Sequence, residues 1–117
     1  MKILLAEDDR IIRTQLEVKL SALGHSVTAV VDGQALLENL EVVWPDVVVT
    51  DDTMPRRSGL EVLGQMRLTV AHAGRPVIVF SARDIEQAVW SIGGIFVLKP
   101  NIDELVTTLD RIASTMH

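Results

Sequence analysis

Four short apolar runs, each ending in a polar residue, constrain this chain more than any other feature. Ile3-Leu4-Leu5-Ala6 runs into Glu7-Asp8-Asp9. Val47-Val48-Val49-Thr50 runs into Asp51-Asp52, with Pro55 close behind. Val77-Ile78-Val79-Phe80 runs into Ser81-Ala82, and Ile95-Phe96-Val97-Leu98 into Lys99-Pro100. Runs this short that stay apolar instead of alternating read as strands covered on both faces, which is the habit of a parallel sheet. Parallel strands bring their carboxyl ends to one edge, so acid, acid, hydroxyl and ammonium collect in one place.

Between the runs the pattern is helical. Lys2–Ala6 reads as a strand and Asp9–Leu23 as a helix, with Ile12, Leu16, Leu20 and Leu23 on one face and Gly24 as its stop. His25–Val31 reads as a strand, residues 34–43 as a helix after the Asp32-Gly33 turn, and Asp46–Thr50 as a strand after Pro45. Ser58-Gly59-Leu60-Glu61 is a capping box that opens a helix with Leu60, Leu63, Met66 or Arg67, and Val70 on one side. Strand Val77–Phe80 leads to a short helix over Asp84–Ile92, stopped by Gly93-Gly94. Strand Ile95–Leu98 leads to a last helix from Asn101, with Glu104 three residues on and an apolar face from Ile102 to Met116. Five strand–helix units imply a parallel sheet with helices on both faces. Such sheets bind ligands at the carboxyl ends of their strands.

Composition narrows the function. The 117 residues, 48% hydrophobic, suit one domain spanning 1–117. The chain has no cysteine, which excludes disulfides and thiolate-bound metals. A net charge of −5 argues against a nucleic-acid surface and is compatible with cation binding. No apolar stretch approaches the roughly 20 residues of a membrane span, and Met1-Lys2 enters a strand with no signal-peptide pattern. A cytoplasmic location without membrane contact is the expectation.

The ordered pieces Leu5-Ala6-Glu7-Asp8-Asp9, Pro45-Asp46 with Asp51 and Met54-Pro55, Ser58-Gly59-Leu60-Glu61-Val62-Leu63, Pro76-Val77-Ile78 with Ser81-Ala82-Arg83, and Phe96 with Lys99-Pro100 resemble those of bacterial response-regulator receiver domains. The resemblance runs from Lys2 into the last helix. It implies a flavodoxin-like, three-layer (βα)5 doubly wound fold with strand order 2-1-3-4-5. It also implies phosphorylation of one aspartate by a sensor histidine kinase or phosphotransfer protein.

On that resemblance Asp51 is the phosphoacceptor. Its carboxylate can attack phosphorus only where negative charge is offset, and the neighbouring Glu7 and Asp8 call for Mg²⁺. Asp8, Asp51 and the Thr53 backbone carbonyl are the implied metal ligands, with Glu7 acting through water. Clustered acids without metal should raise one another's pKa values. Lys99 is the implied counterion to the phosphoryl oxygens, aimed inward by a cis bond to Pro100. Ser81 would donate its hydroxyl to the phosphoryl group, with a helix N-cap as its plainer role, and the small Ala82 leaves room for the phosphodonor. Asp9 reads as a helix-terminal charge, Asp52 as a solvated loop acid, and His25, His72 and His117 as surface residues.

In the family the signal leaves when the hydroxyl residue and an aromatic three positions before the lysine, here Phe96, change position together. The face formed by the fourth helix, fifth strand and fifth helix then alters its affinity for a downstream protein target or fused effector domain. The chain departs from the family here. Ser81 and Lys99 are 18 positions apart, about one helical turn short, and Gly93-Gly94-Ile95 replaces a small-acidic loop. Within 84–92, Ile85, Ala88, Val89 and Ile92 should face the sheet. Trp90 either points away as an interface anchor or folds over the gap. Thr53 and Arg83 stand where family members tune dephosphorylation.

Other readings fit less well. A haloacid-dehalogenase-type phosphatase needs an acid two residues after its nucleophile, where this chain has Thr53. A dinucleotide-binding domain wants glycines after the first strand, where it has Glu7-Asp8-Asp9-Arg10. The chain is thus expected to be a signalling receiver that catalyses only its own phosphorylation and dephosphorylation. The alternative is an atypical receiver that docks to proteins independently of phosphorylation.

Overall fold

The computed structural model describes residues 1–116. Five strands alternate with helices: β1 (Lys2–Ala6), α1 (Arg10–Ala22), β2 (Ser26–Val30), α2 (Gly33–Val43), β3 (Val47–Thr50), α3 (Gly59–Leu68), β4 (Val77–Ser81), α4 (Glu86–Ser91), β5 (Ile95–Leu98) and α5 (Ile102–Ser114). A 3-10 turn, Val70–His72, follows α3. All strand pairs are parallel and the sheet order is β2-β1-β3-β4-β5, the expected flavodoxin-like arrangement.

The central strands are apolar except at their ends because both of their faces are covered. Leu4, Ala6, Val48, Val77 and Val79 pack with Leu36, Leu40, Val62, Leu63, Met66 and Val89 from α2, α3 and α4. The alternate residues Ile3, Leu5, Val47, Val49, Ile78 and Phe80 pack with Leu16, Leu20, Leu105 and Leu109 from α1 and α5. Alternation along each strand splits one run between two cores.

The predicted caps are present. Asp9 accepts from the backbone N–H groups of Ile11 and Ile12, Ser58 and Glu61 form the reciprocal capping box, and Asn101 Oδ1 accepts from Glu104 N. Gly24, at φ +95°, ends α1 in the left-handed region.

Helix faces needed correction at their ends. Leu23 is α1's C-cap and half exposed. Val70 is almost fully exposed, because Thr69 leaves helical geometry and redirects the chain. Helix α4 covers only 86–91 of the predicted 84–92. Asp84 and Ile85 lie before it, Ile85 is its N-cap without a side-chain bond, and Ala88 is exposed while Val89 carries the contact with the core.

Candidate functional site

Hydrogen bonds that continue the strand ladders one residue further hold the backbones of the edge residues. Glu7 N donates to Val30 O at 3.1 Å, Asp51 N to Ala6 O at 3.0 Å and Lys99 N to Ser81 O at 2.9 Å. The polar endings are therefore registered by the sheet itself. Gly59 completes the frame. A Cβ on it would stand 2.4 Å from the Asp51 carbonyl oxygen, so the start of α3 can lie against the β3 end only because residue 59 has no side chain.

Carboxylate oxygens of Glu7, Asp8 and Asp51 lie within 4.8 Å of one another. Asp51 Oδ1 accepts from Asp52 N at 2.7 Å, and its Oδ2 stands 3.2 Å from Lys99 Nζ. The same ammonium pairs with Glu7 Oε1, and the Lys99-Pro100 bond is cis, as expected. Asp8 is exposed at the mouth, whereas Glu7 is buried. Burial raises the Glu7 pKa, against the opposing effect of the hydrogen bond from Lys99. The Asp51 charge is the smallest of the influences that raise it, so desolvation outweighs repulsion between acids here. Burial alone would lower the Lys99 pKa, but its bonds to Glu7 and Asp51 outweigh this and raise it. The site is a negative pocket with one fixed positive group inside.

Ser81 is buried at the end of β4. It does not cap α4: its Oγ accepts from Arg83 N at 3.2 Å, and the helix starts three residues further on. Ala82 is exposed beside Lys99 and Pro100, where with Phe80, Ile12 and Gln15 it lines a 310 Å³ cleft open to the pocket. Phe96 is 8% exposed and packs in the core layer of α2, α3 and α4. Thr53 is exposed in the β3–α3 loop.

A sequence model of the response regulator receiver domain matches residues 3–110. The chain belongs to this family. The receiver is 42% identical over 84 residues to "Response regulator MprA" of Mycolicibacterium vanbaalenii, an alignment covering 72% of this chain and 36% of that protein. The chain thus spans about a third of the length of the curated relatives it matches. It also superposes on the receiver domain of the Francisella response regulator 1452, with TM-score 0.90, 28% identity and coverage of 99% and 98% of the two chains. TrrA of Thermotoga maritima, solved in complex with Mg²⁺ and BeF, gives TM-score 0.84 at 26% identity over 95% and 97% of the chains. The chain is therefore a two-component signalling receiver.

Several side chains of this receiver depart from the sequence reading. Asp52 is buried, at 2% exposure, instead of solvated. Its Oδ1 accepts from Leu60 N at 3.1 Å and its Oδ2 pairs with Arg83 Nη1 at 3.1 Å. The consecutive acids Asp51-Asp52 gave no hint that the second turns inward, because the partner that permits it comes 31 positions later. His72 is likewise buried, at 2%. Its ring lies 5.1 Å from that of Trp44, its Nε2 faces Glu41 at 3.1 Å, and its Nδ1 accepts from Arg75 Nε at 3.1 Å. This cluster belongs to the opposite edge of the sheet and is structural. His25 is half buried and accepts from the N-terminal ammonium at 3.1 Å, and His117 lies outside the described residues.

The region after the short α4 is closed by contacts that the sequence reading did not assign. Trp90 is 60% exposed and does not fold over the gap. Instead Arg67, from the last turn of α3, donates to the carbonyls of Ile92, Gly93, Ala73 and Arg75 at 2.8–3.2 Å. One guanidinium thus serves both the carbonyls that follow the short α4 and those of the turn before β4. Gly94 lets β5 approach closely, since a Cβ there would lie 2.6 Å from Leu63 and 2.8 Å from Val89. Arg13, whose Nη1 donates to the Glu7 carbonyl at 2.9 Å, is a second brace with no sequence signal.

Proposed function

We propose that residues 1–117 form one receiver domain whose Asp51 accepts a phosphoryl group from a sensor histidine kinase or phosphotransfer protein. The observation that carries this reading is the clustering of the Asp51 carboxylate with Glu7 and Asp8, with the Lys99 ammonium 3.2 Å from Asp51 Oδ2. An Asp51 oxygen attacks phosphorus, the P–N bond of the donor breaks, and the leaving imidazole keeps the electron pair and takes up a proton. The product on the chain is an acyl phosphate. No general base is needed, because Asp51 attacks as a carboxylate. The work of the site is positioning and charge neutralisation.

The chemistry of the donor set fits Mg²⁺, a hard cation that takes oxygen ligands and retains waters. Asp8, Asp51 and the Thr53 carbonyl would hold it directly and Glu7 through water, and the cation would offset the mutual repulsion of the carboxylates and the phosphoryl oxygens. Lys99 holds Glu7 and Asp51 before transfer and turns its ammonium to the phosphoryl oxygens after it. Ala82, in the cleft beside Lys99, leaves space for the donor imidazole.

Ser81 then donates its hydroxyl to the phosphoryl group. Phe96, packed under α4, follows, and the face of α4, β5 and α5 shifts its affinity for a downstream protein target or a fused effector domain. The chain catalyses only its own phosphorylation and dephosphorylation, acts in the cytoplasm, and contacts neither nucleic acid nor membrane. No described helix is long and apolar enough to cross a bilayer.

Acetyl phosphate with Mg²⁺, followed by intact mass, tests the reading. One added phosphoryl group in the native chain and none in Asp51→Asn support it. Absence of labelling in the native chain, together with no tryptophan fluorescence response to beryllofluoride, moves the reading to a phosphorylation-independent docking module. The exposed Trp90 on the shortened α4 favours that alternative.

A further inference from the structure

Arg83 ties two sides of the pocket mouth together. Its backbone N–H donates to Ser81 Oγ at 3.2 Å, and its guanidinium Nη1 donates to Asp52 Oδ2 at 3.1 Å. The halves of this ion pair differ sharply, with the Arg83 side chain 65% exposed and that of Asp52 3% exposed. Asp52 cannot follow a moving partner. Its other carboxylate oxygen takes Leu60 N, its carbonyl takes Gly59 N at 3.0 Å, and its own N–H is held by Asp51. The segment from Ala82 to Ile85 has fewer such ties, because α4 begins only at Glu86 and its N-cap, Ile85, makes no side-chain bond. The loop that leaves β4 just after the switch hydroxyl is thus pinned to a fixed acid beside the phosphoacceptor.

We propose that Arg83 is a positioning residue that clasps Asp52 to hold the loop after β4, and through its backbone N–H the Ser81 hydroxyl, in the phosphoryl-free arrangement, so that the pair sets how readily the pocket closes on a phosphoryl group. The inference rests on the reading of Asp51 as phosphoacceptor and Ser81 as phosphoryl donor-bond partner. For Ser81 to turn to that group its Oγ leaves the Arg83 N–H, and the loop movement strains an ion pair whose acidic half stays in place. A largely exposed guanidinium on a buried acid shifts such a two-state balance about two- to fivefold.

Opposite charges separate this device from simple electrostatics. Arg83→Met removes a positive charge near an anion site, and Asp52→Asn removes a negative one. Acting through space alone, the first would weaken and the second tighten binding of an anion. Loss of a clasp tightens both.

The test is calorimetric titration of beryllofluoride, at saturating Mg²⁺ so that only anion binding is read, into the native chain, Arg83→Met, Asp52→Asn and the double variant. The expected result is affinity higher by about two- to fivefold in each single variant, a double variant no tighter than either, and partial return toward native in Arg83→Lys. Opposite shifts, additive shifts or no shift overturn the clasp. Should Asp52→Asn fold poorly, the surface variants Arg83→Met and Arg83→Lys decide, since tightening on loss of a positive charge has no through-space explanation. A native chain that neither binds beryllofluoride nor is labelled on Asp51 overturns the phosphoacceptor reading and the clasp with it. A native chain that responds while its variants do not shift overturns the clasp alone.

Discussion

Lys99 and Glu7, 92 positions apart in the chain, form one ion pair whose side chains are 13% and 2% exposed. Each comes from a loop just beyond a strand end, and the same ammonium also pairs with the Asp51 carboxylate. Lys99 therefore serves the fold before it serves any phosphoryl group, because without it Glu7 is a buried carboxylate held only by the Asp9 N–H.

Lys99→Ala is accordingly expected to lose stability as well as phosphorylation. An orphaned buried charge costs on the order of 1–3 kcal/mol. Urea denaturation should show that loss in metal-free protein, and acetyl phosphate labelling of the folded fraction should slow at least tenfold, a loss on the order of 1.4 kcal/mol in the barrier.

Glu7→Gln should alter the pH dependence of stability. Burial raises the Glu7 pKa, so the fold prefers the protonated acid. Its stabilising contribution is complete below the unfolded value of 4.5 and is lost as pH rises through the raised folded value. At neutral pH burial of the charge is a cost, but the same charge holds the Lys99 ammonium, so the neutral amide should change how the metal-free melting temperature varies with pH and should weaken Mg²⁺ binding. Melting curves between pH 4 and 8 check this. An unchanged difference between native and variant across that range contradicts it.

His25 gives a second pH dependence of opposite sense. Burial, then the N-terminal ammonium, lowers its pKa below 6.5. A lowered pKa contributes stability that is present above the unfolded value and lost as pH falls through the folded one. The native chain should soften below about pH 6.5, and His25→Asn should flatten that part of the profile in a melting series.

Arg67→Met removes the donors to four backbone carbonyls. A loss of about 1–3 kcal/mol is expected, because some of these groups regain water. Hydrogen exchange should rise first around Ile92–Gly94, with the pocket loops unaffected. Uniform acceleration over the whole chain would show that the brace is not local.

The strand runs, the capping boxes and the polar strand endings were legible because each is written in adjacent residues. Asp51, Glu7 and Lys99 meet because the sheet aligns their strands, and the apolar runs already announced a parallel sheet. Asp52 and His72 were not legible. Burying an acid or an imidazole requires a partner, and Arg83, Glu41 and Arg75 are brought to them only by the tertiary fold. The shortened α4 was visible as a count between Ser81 and Lys99, but the repair by Arg67 was not, since an arginine at the end of a helix looks like a solvated charge. Helix ends drifted by one or two residues, as at Ile85, where the local cap is weak.

Arg67 has one more consequence. A helix of six residues, tied down by its last carbonyls and uncapped at its first turn, is a lever with its pivot built in. The pinned end can turn but not slide, and Trp90, two residues before the first of the held carbonyls, stands close to that pivot. Rotation of the helix therefore swings Glu86 and leaves the exposed indole near its place.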